Sequence, residues 1–145
     1  MCRCDTRNRR CVKTLCENNV SAQRHYKKKL SIIMATAIKA ALKSNMKMRH
    51  GAVITDGSKI VSIGSNQRIK HLRNKHSIHA EESAIKNLHK RHKNAQTATR
   101  SLHLYVLRLL DNGSFANSFP CQKCQLCICN ASNISQVFYS DPSCV

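Results

Sequence analysis

Two short motifs, each opening a predicted helix, limit what this chain can fold into more than any other feature. One is His79-Ala80-Glu81, and the other is Pro120-Cys121-Gln122-Lys123-Cys124, with 41 residues between His79 and Cys121. Cys121 and Cys124 are three apart, a spacing that puts both on one helix face, so both sulfurs can reach one ion. They fall in a first turn, where the dipole and free N–H groups favour thiolate. His79 can add an imidazole nitrogen. Three protein ligands leave the fourth tetrahedral position for water, the mark of a catalytic rather than a structural Zn2+. Water held there falls towards a pKa of roughly 7. Glu81, two residues from His79, need not be a ligand and can accept that water's proton.

The intervening sequence supplies the frame. Apolar residues recur at three and four from about Leu30 to Asn45 (Leu30, Met34, Ile38 and Leu42, with Ile33, Ala37 and Ala41 alongside), which predicts an amphipathic helix. The β-rich runs A-V-I-T and K-I-V-S-I-G flank D-G-S and read as a hairpin. A basic loop over 65–78 leads to a helix from about His79 to His92, with Ala80, Ala84 and Leu88 on one face. After a basic connection over 90–100, S-L-H-L-Y-V-L-R-L-L alternates as a strand at Leu102, Leu104 and Val106, and D-N-G-S loops out of it. P-C-Q-K-C-Q-L-C-I-C-N-A-S reads as a helix from its proline start, and I-S-Q-V-F-Y-S as a last strand. The order helix, strand, strand, helix, strand, helix, strand implies an α/β fold, a mixed sheet with helices on its faces.

Charge narrows the partners. Lys and Arg number 25 against seven Asp and Glu, a net charge of +18. Of this, +7 falls in residues 1–29, +8 in 30–78, +3 in 79–100 and none in 101–145. That favours a polyanionic partner or a phosphorylated substrate. An aromatic content of 4% argues against a broad surface of stacking rings for single strands. Residues 1–29 read as a basic, Cys-bearing, flexible arm ahead of a domain over 30–145. Its Cys2, Cys4, Cys11 and Cys16 match no common metal-ligand spacing. The nine cysteines are odd in number, and the charged start M-C-R-C-D-T-R-N-R-R-C does not read as a secretory signal. Reduced thiols in an intracellular, cytoplasmic protein are therefore expected. No run reaches the roughly 18 apolar residues of a membrane span.

H-x-E followed by P-C-x-x-C is the signature of zinc nucleobase deaminases. The chain resembles the cytidine and deoxycytidylate deaminase superfamily, its deoxycytidylate-like branch in particular. I-H-A-E-E-S-A-I is similar to that family's active-site helix. S-F-P-C-Q-K-C-Q-L-C-I with I-S-Q-V-F-Y-S-D is similar to its zinc-cysteine helix and following strand, and G-A-V-I-T-D-G-S-K-I-V-S-I-G-S-N to its first hairpin. The resemblance covers about residues 30–141. It implies a three-layer α/β/α fold with a mixed sheet of four to five strands and helices on both faces. It also implies zinc on His79, Cys121 and Cys124, with Glu81 as proton shuttle. The implied reaction is hydrolytic deamination of a cytosine-bearing nucleotide such as dCMP or CMP, releasing ammonia. Asn66 matches a substrate-contacting asparagine. The 41 intervening residues exceed the family's usual spacing, and the surplus fits the 89–100 connection and the loop at 111–118. The family's fold usually continues past the last strand seen here, so the chain reads as a minimal version whose pocket a second subunit of a homo-oligomer could complete.

Other residues carry weaker signals. Arg68, with Lys70, His71, Arg73 and Lys75, fills the loop before the site and can hold a nucleotide phosphate or a nucleic-acid backbone. Tyr139 can stack near the base or simply pack in its strand. Glu82 reads as a dipole partner for its helix start, His76 as a solvated loop histidine, and Cys127 and Cys129 as small buried hydrophobes. Two rival readings stand beside the nucleotide enzyme. One is a deaminase acting on a base in RNA or single-stranded DNA, which the basic charge favours. The other is a non-catalytic, zinc-stabilised nucleic-acid-binding module, which has no use for Glu81.

Overall fold

Helix α1 (Arg24–Leu42) lies against a sheet at a separation that only small residues permit. A Cβ added to Gly51 would overlap the carbonyl of Ala37 and the amide of Ala41. The buried seam of α1 therefore runs through Ile33, Ala37, Ala40 and Ala41. This rotates the helix from the orientation expected from its largest side chains. Leu30, Met34 and Ile38 pack only at the margin, and Leu42 is 55% exposed. Close approach of backbones wins over the bulk of single side chains because it brings a whole turn into van der Waals contact.

The elements that follow give the layers. A computed structural model of the chain describes residues 3–5, 10–15, 24–69, 77–91, 101–131 and 133–144. The strands are β1 (Arg3–Asp5), β2 (Arg10–Leu15), β3 (Arg49–Asp56), β4 (Lys59–Ser65), β5 (Gln67–Arg68), β6 (Ser77–Ile78), β7 (Leu102–Leu109), β8 (Phe115–Ala116) and β9 (Ile134–Ser140). The helices after α1 are α2 (Ala80–Arg91) and α3 (Gln122–Asn130), and a short 3-10 turn spans Pro142–Cys144. The main sheet runs β1-β2-β9-β7-β3-β4, with β8 paired to β7. It is mixed: β7 and β2 run parallel to β9, while β3 is antiparallel to both β4 and β7. Five strands, β2, β3, β4, β7 and β9, are six to eight residues long and make the body of the sheet.

One face of the sheet holds α1 on Val53, Tyr105, Leu107 and Phe138. The other holds α2 and α3 on Ala52, Ile54, Leu104, Val106 and Val137. This is the three-layer α/β/α arrangement expected. Burying each of the fully enclosed Ile54, Leu104 and Leu107 contributes about 1.5–3 kcal/mol. The expected hairpin closes through a two-residue loop between paired Asp56 and Lys59, where Gly57 takes a φ of 58°. That left-handed conformation is why glycine stands there.

The N-terminal region departs from expectation. The boundary placed at residue 29 falls inside α1. Strand β2, within the segment expected to be a flexible arm, pairs parallel with β9 from Cys11 opposite Gln136 to Leu15 opposite Ser140. With Arg10 and Lys13 interrupting its apolar residues, β2 has no readable period. Its pairing comes from the open edge of β9, whose backbone groups need partners. Cys4 and Cys11 face each other across β1 and β2, while Cys2 and Cys16 lie outside the described residues. Most of the 111–118 loop is organised: Gly113 turns at a φ of 82° and β8 folds back so that Arg108 pairs with Ala116. Among the described residues no helix is long and apolar enough to cross a membrane.

Candidate active site

Helices α2 and α3 begin beside each other, and both begin with a candidate metal ligand. His79 immediately precedes α2, and its carbonyl accepts the Ser83 N–H at 2.9 Å. Cys121 is the N-cap of α3, with extended backbone (φ −66°, ψ 165°), and its carbonyl accepts the Gln125 N–H at 2.9 Å. Pro120 therefore sits before the cap rather than at the first helical position. Cys124 occupies the first turn. The spacing of three works because the cap and the first turn share a face, which differs in detail from two cysteines inside one helix.

The three side chains converge. His79 Nδ1 is 3.2 Å from Cys124 Sγ and 3.5 Å from Cys121 Sγ. The three donor atoms lie within 4.8 Å of one another. Cys124 is buried, His79 half-buried and Cys121 exposed. Cys127 and Cys129 are outside this group, as expected.

What seats α2 is a second glycine contact. A Cβ on Gly64 of β4 would overlap the Ala80 carbonyl and the Ala84 amide. Next to it, the buried Ser62 hydroxyl donates to the Ala84 carbonyl at 2.7 Å. Glu81 is carried by the turn these contacts hold and is 5% exposed. Burial pushes its carboxyl above the ordinary value, while hydrogen bonding and the neighbouring His79 and Cys124 pull the other way.

Burial also drives the Cys124 thiol far up, and the charge of Glu81 and the proximity of Cys121 add to this. The dipole at the start of α3 does not overcome these effects, so thiolate is not favoured by the helix start alone. A divalent cation would reverse the balance, because a coordinating thiol is deprotonated outright. One imidazole and two thiols gathered beside a buried carboxylate suit zinc.

Glu82 does more than complement a dipole. Its Oε1 is 2.8 Å from Lys86 Nζ within α2, and its Oε2 is 3.2 Å from Lys123 Nζ on α3. These partners, Lys86 first, hold its carboxyl below the ordinary range. Lys123 stands between the two cysteines in sequence, so the pair ties one helix start to the other.

An open pocket of about 570 Å³ reaches the site. Glu81, His79 and Cys121 form one end of it, and Met46, Met48, His50, Asn66, Ser118 and Phe119 the rest. Asn66 is there as its sequence position suggested, but its amide is committed to the backbone. Oδ1 accepts the His50 N–H at 2.8 Å, and Nδ2 donates to the Met48 carbonyl at 2.6 Å. One Oδ1 lone pair remains for a ligand.

Arg68 and Tyr139 do not line the pocket. The Arg68 side chain is exposed, and its backbone N–H donates to Asn45 Oδ1 at 2.9 Å. Tyr139 instead packs edge-on against Phe119, with ring centroids 5.1 Å apart. Phe119 is the aromatic in the wall, and its place directly before Pro120 was the available signal. His50, Met46, Met48 and Ser118 also went unread, because the folding of the α1–β3 connection and of β8 brings them in. Lys70, His71, Arg73, Lys75 and His76 lie outside the described residues.

Comparison with known proteins agrees with this geometry. The fold is similar to that of the apo dCMP deaminase from the cyanophage S-TIM5, at 20% identity and a TM-score of 0.59 over 86% of this chain and 90% of that one. It is similar to cytidine deaminase from Mycobacterium tuberculosis at 17% identity and 0.52, over 75% and 82%. It is also similar to guanine deaminase from Bacillus subtilis at 23% and 0.50, over 80% and 64%. At such identities the likeness concerns the fold alone. Among curated proteins no sequence match is found. The model of the cytidine and deoxycytidylate deaminase zinc-binding region matches residues 27–141, which take in α2, α3 and the converging His79, Cys121 and Cys124, and the chain belongs to that family.

Proposed function

We propose that the protein is a zinc-dependent hydrolytic deaminase of a cytosine-bearing nucleotide, dCMP or CMP. The observation that carries this reading is the buried Glu81 carboxyl, in one pocket with His79 and Cys121 of the converging His79, Cys121 and Cys124 donor set. A purely structural zinc site has no use for a carboxylate kept out of water beside it. The ion, held by those three side chains, would supply Lewis-acid activation that brings water towards a pKa of roughly 7.

The chain's own residues then handle protons and position. Glu81 takes a proton from the attacking water and delivers it to the ring nitrogen. The water oxygen bonds to the amine-bearing ring carbon. Glu81 then takes the proton of the newly bonded hydroxyl and passes it to the amine, the C–N bond breaks as the carbonyl forms, and ammonia leaves. Phe119 offers a flat ring in the pocket lining, and Asn66 holds the backbone of His50 and Met48, which also line it.

A net charge of +18 favours a second reading, a base within RNA or single-stranded DNA. An ammonia-release assay over dCMP, CMP, cytidine, and cytosine- or adenine-bearing oligonucleotides separates the two. Turnover of monomers alone supports the nucleotide enzyme. Turnover of oligonucleotides alone replaces it with the second reading. Turnover of none, with tight salt-dependent oligonucleotide binding, supports a binding module.

A further inference from the structure

Arg108 carries a positive charge on the sheet face that holds the site. It sits near the end of β7, directly opposite His50 of β3. Opposed residues of an antiparallel pair project to the same side. Val106 and Leu104, two and four residues earlier, point into the α2–α3 core, so Arg108 lies on the same face, behind the pocket lining and next to its His50. Its other neighbour is also a pocket residue at one remove. The Arg108 N–H donates to Ser140 Oγ at 3.2 Å, and Ser140 Oγ is 2.9 Å from the Oγ of Ser118, which lines the pocket.

The guanidinium has no answering group. Among the described residues it forms no ion pair, and its Nε is buried without a hydrogen-bond partner. A buried donor left unmade is unfavourable, more so when charged. The serines beside it are spent on each other and on backbone: Ser118 Oγ donates to the Val106 carbonyl, and Ser140 Oγ to that of Ala116. His50 does not compete for an anion as a second cation, because burial, then the charges of Arg108 and His79, hold its imidazole below the ordinary value. An incoming anion would satisfy Arg108 with two charge-assisted bonds, for which the planar fork is suited.

We propose that Arg108 is the anion contact of the pocket and takes the phosphate of the nucleotide, so that it selects nucleotides over nucleosides. This rests on the reading of the pocket as a pyrimidine nucleotide site. It assigns the phosphate to the sheet, where Arg108 stands next to His50 of the pocket lining, rather than to the exposed Arg68.

The test is calorimetric binding of dUMP and of deoxyuridine to the zinc-loaded full chain, as wild type, Arg108→Gln and Arg108→Lys. The wild type is expected to bind dUMP about ten- to a hundredfold more tightly than deoxyuridine. Arg108→Gln should bring the two within about twofold by weakening dUMP alone, and Arg108→Lys should keep part of the preference, having the charge without the fork. The deoxyuridine affinity shows that each variant is folded at the pocket. If Arg108→Gln does not fold, the partial loss in Arg108→Lys carries the test. Equal affinity for the two ligands in the wild type, no measurable binding of either, or an undiminished preference in both variants overturns the proposal. Phosphate-dependent binding lost in Arg108→Gln, without ammonia release from any pyrimidine, would leave this proposal standing and overturn the proposed reaction instead.

Discussion

The Nδ1 of His79 lies 3.2 Å from the Sγ of Cys124, joining the start of α2 to the first turn of α3. In the proposed reading both side chains hold the same zinc ion. Cys124→Ser and Cys121→Ser are each expected to purify with far less than the about one zinc ion per chain that a three-ligand catalytic site holds. Elemental analysis reads this directly. Stripping the wild type with a chelator should lower its melting temperature, because a ligand that binds only the folded state stabilises it.

Glu81 is a proton carrier and not a ligand in the reading given above. Glu81→Gln should therefore keep its zinc and its melting temperature while turnover falls by about 10²–10⁴-fold, the usual contribution of a positioned acid–base group. Metal analysis with single-turnover kinetics checks both halves. Full activity in this variant would sink the mechanism.

Gly64 makes room for α2. Gly64→Ala would press a methyl group into the Ala80 carbonyl and Ala84 amide, which are backbone and cannot rotate away. The cost is expected to reach about 1–3 kcal/mol or more. Because the displaced turn carries His79 and Glu81, activity should fall further than stability explains. Denaturant titration beside kinetics at a temperature where the variant is folded separates the two effects.

Glu82 ties α2 to α3 through Lys123, and its lowered carboxyl value sets the sign of a pH effect. A carboxylate whose folded value lies below the ordinary 4.5 stabilises fully above that pH and loses the contribution as pH falls through the folded value. With both lysines largely exposed, the pair is worth about 0.2–1 kcal/mol. Glu82→Gln should be destabilised by that amount at pH 7 and should converge with the wild type under acid. Parallel melts across pH 3–7 test this, and a gap that persists in acid would refute it.

Phe119 forms the aromatic wall and leans edge-on against Tyr139. Phe119→Ala should raise KM by about tenfold, in line with the loss of one stacked base, with little change in melting temperature, since the ring is 39% exposed.

Much of the architecture was legible in local pattern. The β3–β4 hairpin, α2, β7, α3 and β9 follow periods of two and near four that burial of one face imposes. The site's donors were legible too, since H-x-E and P-C-x-x-C are short-range patterns set by helix geometry. What failed were features that depend on a surface elsewhere. Strand β2 has no period of its own and forms on the edge of β9. The seam of α1 shifted from Leu30 and Leu42 to Ala37 and Ala41 because Gly51 lies beneath it. Arg68 offers a phosphate contact and Tyr139 either stacking or strand packing by their chemistry, while the chain path lines the pocket with Phe119, His50 and Ser118.

The sequence by itself determined the layer order and the two motifs that carry the candidate donors His79, Cys121 and Cys124 and the carboxylate of Glu81, because each motif depends on spacing at one helix start. Only the tertiary structure decided which residues surround that centre. It buried Glu81 and Cys124 and, among the described residues, left the Arg108 Nε without a hydrogen-bond partner on the strand beside His50. Those outcomes depend on how far apart helices and sheet can stand. That separation is set by glycines and alanines on different elements meeting in space, which no spacing along a single chain records.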